Sequence, residues 1–418
     1  MKKYFSLGIL IIYGLVLGGI VGVVSWAFLA IVNLGIHFIW TELPEKFNLP
    51  YWTIIVCTTG GVLVGLCQKY FGEYPRLMPE VMGEFKKNNR VEYKTIPKAL
   101  LTALIVLFSG ASLGPEAALV GIVGGLSTLV GDILKWTVKG RTLEKYGGMI
   151  TEFSMEATLG IIFHAPLVGL SPLIEENDSN VIKRIKTIVY STTTAAGFGV
   201  LMFLSRIDNR PSFIVHFQGY NIGINEIVSI LPLIILGVLL GLMYEFFGKT
   251  LHKIFHPLHN MKILKAIIGG IILGVIGTYL PYTLFSGEHE IKELVREWST
   301  IPMYILLLSG ILKLFLTEVC LSTGWRGGHI FPIIFSGTTI AYAISMIFPI
   351  DPVVTVTILT TSFASAALRN AVIVLLLLVL FFPTELIWVM LIAAFLATYL
   401  MKKWDSRGTE SEELEEAI

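Results

Sequence analysis

Charged side chains are scarce in this chain. Asp, Glu, Lys and Arg together make up 15% of its 418 residues, whereas a soluble domain carries about a quarter. Hydrophobic residues make up 54%, and the mean hydropathy is +0.76. The composition therefore excludes a disordered chain and is too apolar for a soluble enzyme. It is typical of a polytopic membrane protein.

A surplus of positive charge is also lacking. The chain has 31 Lys and Arg against 30 Asp and Glu, a net charge of +1, so nothing is left over to neutralise nucleic-acid phosphates. Only three cysteines occur, Cys57, Cys67 and Cys320, all in or beside apolar runs and without paired spacing. This pattern indicates neither a disulfide framework nor a zinc site. We expect no metal, no cofactor and no nucleic-acid partner.

Long apolar segments dominate what is present. The first, residues 5–40, is more than twice as long as the roughly 7–15 apolar residues of a signal peptide, so we expect a retained and tilted membrane helix. About a dozen further segments follow, several of them shorter than the roughly 20 residues needed to cross upright. Many contain Gly or Pro, which favours helices that end inside the membrane, as transporters and channels have. The sequence predicts an all-α polytopic membrane protein without a water-soluble domain.

The basic residues carry the topology signal. They cluster in residues 68–98, 183–186 and 402–407, between or after apolar segments. The positive-inside rule places these clusters and both termini in the cytoplasm. We therefore expect one transmembrane domain, residues 1–418, in the cell membrane, ending in a short acidic cytoplasmic tail at 404–418.

A single acid stands out between residues 99 and 131, where Glu116 is the only ionisable side chain. A carboxylate at membrane depth costs several kcal/mol unless it is compensated. Glu116 follows Gly114 and Pro115 and precedes the small residue Ala117, and Pro is favoured in the first turn of a helix. The unpaired amides and the dipole of such a helix end attract anions. We predict an anion-binding helix N-terminus inside the membrane; the alternative is a surface glutamate at an ordinary helix start.

Two other stretches have related features. In residues 159–176, His164 is the only ionisable group before the acidic pair Glu175-Glu176, which is either functional or an interfacial pair facing the basic cluster. In residues 322–332, Gly327-Gly328 precedes an apolar helix, so unpaired amides are again presented with little side chain in the way.

These stretches, in this order and spacing, resemble the CLC family of chloride channels and chloride/proton antiporters. Residues 113–116 (LGPE) are similar to the G-x-E-G-P motif, with Ala117-Ala118 in place of Gly-Pro. Residues 163–176 are similar to N-A-P-L-x-G…I-E-E, and residues 327–332 to G-x-F-x-P. The resemblance implies that Glu116 is the gating glutamate and Glu176 the internal proton-transfer residue.

The same resemblance implies an anion path. Its anion-binding positions are Gly114, Pro115, Ala117, Gly328, His329 and Ile330. Residues 75–79 stand where the family has G-S-G-I-P, and the anion-coordinating serine falls on Arg76, which either concentrates anions at the inner mouth or is an ordinary positive-inside residue. No tyrosine after the last apolar segment matches the central-site tyrosine of the family.

The resemblance further implies two inverted halves, about 1–205 and 220–403. Residues 159–176 and 364–381 support this division, because each has a polar pair or His before a long apolar run. The implied function is transport of a small inorganic anion, chloride foremost, coupled to protons and gated by Glu116, in a homodimer within the lipid bilayer. A passive gated channel and a fluoride/proton exchanger are the alternatives. An intramembrane enzyme would need an acid/base pair or metal set at membrane depth, and a carrier of organic solutes would need a more polar cavity.

Overall fold

The computed structural model describes residues 2–47, 49–88, 90–137, 157, 160–161, 165–168, 180–207, 216–217 and 219–416. Its fourteen helices of eight or more residues are α1 Lys2–His37, α2 Trp52–Tyr70, α3 Met78–Asn88, α4 Ile96–Phe108, α5 Glu116–Thr137, α6 Asn180–Ile207, α7 Ile224–Phe255, α8 Lys262–Tyr279, α9 Glu290–Glu297, α10 Met303–Ser322, α11 Ile330–Ile347, α12 Pro352–Leu368, α13 Ala371–Leu378 and α14 Ile387–Glu416. Short helical turns occur at Phe38–Glu42, Leu43–Phe47, Tyr93–Thr95, His256–Leu258, Pro281–Thr283, Trp298–Thr300 and Thr384–Leu386.

Most of these helices can cross a bilayer. In the described part of the chain, nine helical stretches are long and apolar enough to do so: Leu10–Phe47, Trp52–Tyr70, Glu116–Ile133, Ile182–Ile207, Ile224–Leu258, Lys262–Tyr279, Met303–Ser322, Ile330–Ile347 and Thr384–Ser406. The predicted all-α polytopic fold is confirmed. The first apolar run forms the long helix α1, as its length predicts.

Small residues let the helices approach closely. A Cβ atom at Gly61 of α2 would lie 2.6 Å from the carbonyl oxygen of Ala266 in α8, and one at Gly274 of α8 would lie 2.8 Å from the Cα of Ile54. Close backbone contact of this kind is how membrane helices gain packing energy where lipid supplies no hydrophobic driving force. The pairs α2–α8 and α1–α6 are packed in this way.

The centre of the domain is formed by α11 and α12. Residues 331–344 of α11 and 354–366 of α12 are buried without interruption, and neither stretch contains a charged side chain. The first turn of α11, from Phe331 onward, is therefore buried inside the protein. The candidate site is built at this N-terminus.

Another break separates α12 from α13. Arg369 ends α12 in the left-handed region, with φ +56°, and the Asn370 side chain accepts a hydrogen bond from Ile373 N at 2.9 Å, capping α13. The polar pair that sequence analysis singled out in residues 364–381 thus marks a real helix break. Its proposed counterpart, residues 159–176, lies mostly outside the described residues.

Candidate functional site

A short loop joins α4 to α5 and carries the first part of the site. After α4 ends at Phe108, Gly110 adopts φ +78°, its N–H donates to Leu107 O at 3.3 Å, and Ala111 N donates to Val106 O at 3.4 Å. This is the Schellman motif, which needs a residue in the left-handed region and therefore favours glycine. The helix α5 begins six residues later, at Glu116.

The loop between α10 and α11 has the same local structure. Gly324 adopts φ +92°, its N–H donates to Leu321 O at 3.3 Å, and Trp325 N donates to Cys320 O at 2.9 Å. The helix α11 begins six residues after this glycine, at Ile330. The two loops are thus built by the same backbone rule at the same spacing.

The loops meet at one glycine from each. Gly114 N donates to Gly328 O at 2.8 Å, and Gly328 N donates to Gly114 O at 2.8 Å, which makes an isolated antiparallel bridge. Both amides are therefore occupied by the bridge. These two glycines line the site through their missing side chains rather than through free N–H groups.

The carboxylate of Glu116 lies against this bridge. The residue is 3% exposed, and its Oε1 accepts a hydrogen bond from Phe331 N, in the first turn of α11, at 3.2 Å. A Cβ atom at either Gly114 or Gly328 would collide with Oε2, and within the described structure Oε2 itself is buried without a hydrogen-bond partner. Glu116 is thus buried at a helix start, as predicted, and not on the surface. It is held between the N-termini of two helices.

Side chains and backbone tie the two loops to their surroundings. Thr317 Oγ1 of α10 donates to Ser112 O at 3.0 Å, and Ser112 Oγ donates to Lys313 O at 3.4 Å. Trp325 Nε1 donates to Ala266 O of α8 at 3.0 Å. The bridge therefore sits in a rigid frame supplied by α8 and α10.

The other predicted residues occupy varied positions. Ala117 is buried in the first turn of α5, next to Pro115. His329 and Ile330 are partly exposed at the start of α11, and the His329 ring centroid lies 6.2 Å from that of Tyr244. Gly114, Pro115, Ala117, Gly328, His329 and Ile330 are therefore brought together around Glu116.

Two predicted residues are not part of this cluster. Arg76 forms an ion pair with Glu84 of α3, so its guanidinium is already matched by a carboxylate. Glu176 lies outside the described residues. Their suggested roles in anion attraction and proton transfer stay predictions.

A buried lysine was missed by the sequence analysis. Lys313 of α10 is fully buried, and its Nζ donates to the carbonyl oxygens of Tyr282, Leu284 and Phe285 at 3.0, 2.8 and 3.1 Å. The ammonium also lies 4.6 Å from the Phe335 ring centroid. A charge inside the apolar segment 301–319 was the signal that could have found it, since such residues mark functional regions.

A cavity of about 610 Å³ lies beside the first loop. Residues of that loop, of the segment before α9 and of the start of α9 line it, including Leu113, Pro115, Ser286, Glu288, His289 and Glu290. The cavity therefore reaches the residues that immediately precede Glu116. In the described part of the chain, no group of His, Cys, Asp and Glu side chains is arranged to hold a metal ion.

The arrangement allows one kind of competition. A carboxylate and a small anion both seek the partial positive charge of helix N-termini, and here the carboxylate fills the space between two such ends. Protonation of the carboxylate removes its negative charge and therefore its attraction to the two helix N-termini. The site can therefore alternate between a carboxylate and a free anion.

Comparison with known proteins gives consistent matches. Residues 60–402 match the profile of the family described as "Voltage gated chloride channel". The YfeO protein of Salmonella choleraesuis (strain SC-B67) is 26% identical over 343 residues, which cover 78% of each chain. A CLC-type fluoride/proton antiporter superposes with a TM-score of 0.74 at 18% identity, covering 96% of this chain and 97% of its own. A slow cyanobacterial Cl⁻/H⁺ antiporter superposes with a TM-score of 0.77 at 19% identity, covering 95% of both.

Proposed function

Since the chain belongs to the voltage-gated chloride channel family, we propose that it moves a small inorganic anion, chloride foremost, across the membrane in exchange for protons. The observation that carries this proposal is the buried Glu116 carboxylate between Gly114 and Gly328, with Phe331 N–H donating to it. It fills a position that a small anion could take. The resemblance seen in the sequence is confirmed at the level of the family.

The anion would be held by backbone dipoles. The first amides of α5 and α11 have no acceptor within their own helices, and the N-termini of both helices carry partial positive charge. Such groups replace water around an anion without forming a full ion pair, so binding is weak enough for release. Transport by this route needs no buried cation in direct contact with the ion.

Proton coupling would follow from the same carboxylate. When Glu116 is ionised it competes with the anion, and when it is protonated it yields its place. A second acid that exchanges protons with the opposite side of the membrane would couple proton transport to anion transport, so that neither occurs without the other. Glu176 is the proposed inner acid on the strength of the family resemblance.

The placement of the protein in the cell is proposed on the same basis. The basic residues of 68–98, 183–186 and 402–407 would face the cytoplasm, together with both termini. The region of α3 would then lie on the inner side and the region of α9 on the outer side. A homodimer with one pathway in each subunit is implied by the family.

Reconstituted flux tests the proposal. Purified protein in liposomes would be given a chloride or a fluoride gradient while the internal pH is recorded. Chloride efflux accompanied by proton movement in the opposite direction is the expected result. Anion flux without pH change would instead establish a passive channel, preference for fluoride would establish a fluoride/proton exchanger, and transport of organic solutes without halide flux would overturn the proposal.

A substitution of Glu116 tests whether this residue couples anion transport to proton transport. Glu116→Ala removes the titrating group but leaves the backbone amides, so proton-coupled flux should fall by about a hundredfold or more, a loss typical of removing a positioned acid or base, while anion flux persists. Glu293→Ala, which removes an exposed glutamate of α9, is the matched control and should behave like the wild type. Proton transport that survives in Glu116→Ala would remove Glu116 from the pathway.

A further inference from the structure

The segment that precedes α9 is folded into the membrane domain. Phe285 N donates to Gly110 O of the first loop at 3.2 Å. Lys313 Nζ donates to the carbonyl oxygens of Tyr282, Leu284 and Phe285 in the same segment. Gly287 adopts φ +88°, and a Cβ atom there would lie 2.6 Å from the Cβ of Phe335. The backbone around Glu288 is therefore fixed against both the first loop and α11.

This fixed backbone buries the Glu288 side chain. Glu288 is only 8% exposed, although it lines the 610 Å³ cavity together with Leu113 and Pro115. Burial raises the pKa of Glu288 well above its usual range, and the facing charge of Glu116 raises it further. The two carboxyl groups are thus close enough for the charge of Glu116 to act on Glu288, and the residues that lead to Glu116 line the same cavity.

Several other charged or titratable groups face the same region. They are Glu290 and Lys292 of α9, Lys313 of α10, and His289, Arg206 and His216 at the cavity. Glu290 adds to the upward shift of the pKa of Glu288, and Lys292 opposes it. The net effect keeps Glu288 protonated at pH values where an ordinary carboxyl group has lost its proton.

We propose that Glu288 carries the proton between the cavity and Glu116. The inference rests on the proposed function, because it adds to the coupled cycle of Glu116 and Glu176 a further acid on the α9 side of the membrane. In the step itself, the O–H bond of protonated Glu288 breaks and an O–H bond forms on the Glu116 carboxylate. The Glu288 carboxylate left behind takes a new proton from the cavity.

The neighbouring acid Glu290 offers a built-in contrast. It lines the same cavity, and burial raises its pKa as well. However, the charge that acts on the pKa of Glu290 is that of Lys313, whereas the charges of Glu116, Glu290 and Lys292 act on the pKa of Glu288. Of these two carboxyl groups, only the one of Glu288 is therefore coupled to Glu116.

Paired glutamine variants test the proposal in liposomes. Glu288→Gln keeps the shape of the side chain but cannot release a proton, so proton flux should fall about tenfold or more while anion flux continues. Glu290→Gln should keep the wild-type ratio of protons to anions. Equal coupling in Glu288→Gln and the wild type would overturn the proposal, and so would an equal loss of coupling in both variants.

A histidine variant gives a second readout that a structural role would not move. Glu288→His retains a proton carrier with an ordinary pKa of about 6.5, so proton flux should remain and its midpoint should move to the pH at which that imidazole titrates. An unchanged pH profile in Glu288→His would exclude Glu288 from the proton path. This readout also decides the matter if the glutamine variant fails to fold.

Failure of the proposed antiport can be distinguished from failure of the proposal for Glu288. If the wild-type protein moves anions without moving protons, the proposed antiport is wrong and the Glu288 variants have nothing to change. If the wild type is coupled and Glu288→Gln and Glu288→His both match it in coupling and pH profile, only the role of Glu288 is wrong.

Discussion

The loop before α5 and the loop before α11 are alike in backbone and unlike in side chain. Each begins with a glycine of positive φ, each leads to a new helix six residues later, and each contributes one glycine to the central bridge. The first loop delivers Glu116 to the start of its helix, whereas the second delivers Ile330. The comparison teaches that a matched pair of backbones forms the frame of the proposed anion site, while one unmatched side chain supplies the carboxyl group that we propose responds to protons.

The helices before the two loops differ in a related way. Counted back from the glycine of positive φ, Lys313 in α10 stands where α4 has Ala99. Lys313 holds the segment that leads to Glu288, and Ala99 cannot do the same. Glu116 and Lys313 are thus two charged residues that one of the two helix-and-loop pairs has and the other lacks. Both contribute to the side of the site that faces the segment before α9.

After Glu116→Ala, the largest expected effect on proton coupling comes from filling the space at the bridge. In Gly114→Ala and in Gly328→Ala the new methyl group would take the position of the Glu116 carboxylate, so the carboxylate must leave. We expect proton-coupled flux to fall about tenfold or more in either variant, which corresponds to about 1.4 kcal/mol. Simultaneous recording of anion and proton flux measures it.

The control for this pair is Gly121→Ala. Gly121 lies in the same helix as Glu116, and nothing lies within 4 Å of the Cβ that would be added there. Its flux should match the wild type. If one of the two bridge variants retained full coupling, the site would not depend equally on both loops, and the comparison would fail.

The next variant removes the buried charge, and its expected effect is on stability rather than on proton coupling. Lys313→Met leaves three carbonyl oxygens without their donor, and we expect a loss of about 3 kcal/mol in stability. The midpoint of thermal unfolding in detergent measures it. Lys253→Met, at an exposed position in α7, should change stability by less than about 0.5 kcal/mol. An equal effect of the two variants would show that Lys313 is not needed to hold the segment before α9.

The smallest expected effect is the difference in stability between alanine variants of the two glycines of positive φ, Gly324 and Gly110. Gly324→Ala should lower the free energy of unfolding by about 1 kcal/mol, because an L side chain must adopt the left-handed region. Gly110→Ala should cost more, since the added Cβ would also lie 2.6 Å from Cζ2 of Trp40 and force that ring to move. Thermal unfolding of both variants, with Gly19→Ala as a control that meets no neighbour, measures the difference. Equal losses of stability in Gly324→Ala and Gly110→Ala would mean that the Trp40 ring moves at no cost in free energy.

Most of the fold could be predicted from the sequence. Apolar length identified the membrane helices, and the short segment 99–111 indicated the break after α4. Gly327-Gly328, in front of an apolar run, indicated a helix start after α10. The isolation of Glu116 among uncharged residues predicted its burial. These features are local, so a single segment of sequence contains them.

The remaining part of the site could not be predicted in this way. The pairing of Gly114 with Gly328, and the approach of Glu288 to the first loop, join residues far apart in the chain. Glu288 also lies in a polar segment that has the composition of an exposed loop, and it is buried only because Lys313 and Gly110 bind the backbone before it. Lys313, by contrast, could have been found from the sequence, because it is a charged residue within an apolar segment.

The bridge between Gly114 and Gly328 limits how the protein can move. Many carriers expose their cargo by tilting one repeat against the other, but here such a tilt would break two hydrogen bonds at the core, each worth about 4–6 kcal/mol in apolar surroundings. If these hydrogen bonds stay formed during the proposed transport cycle, the two loops stay together. The moving part would then be the Glu116 side chain alone, and turnover would not wait for a rearrangement of whole helices.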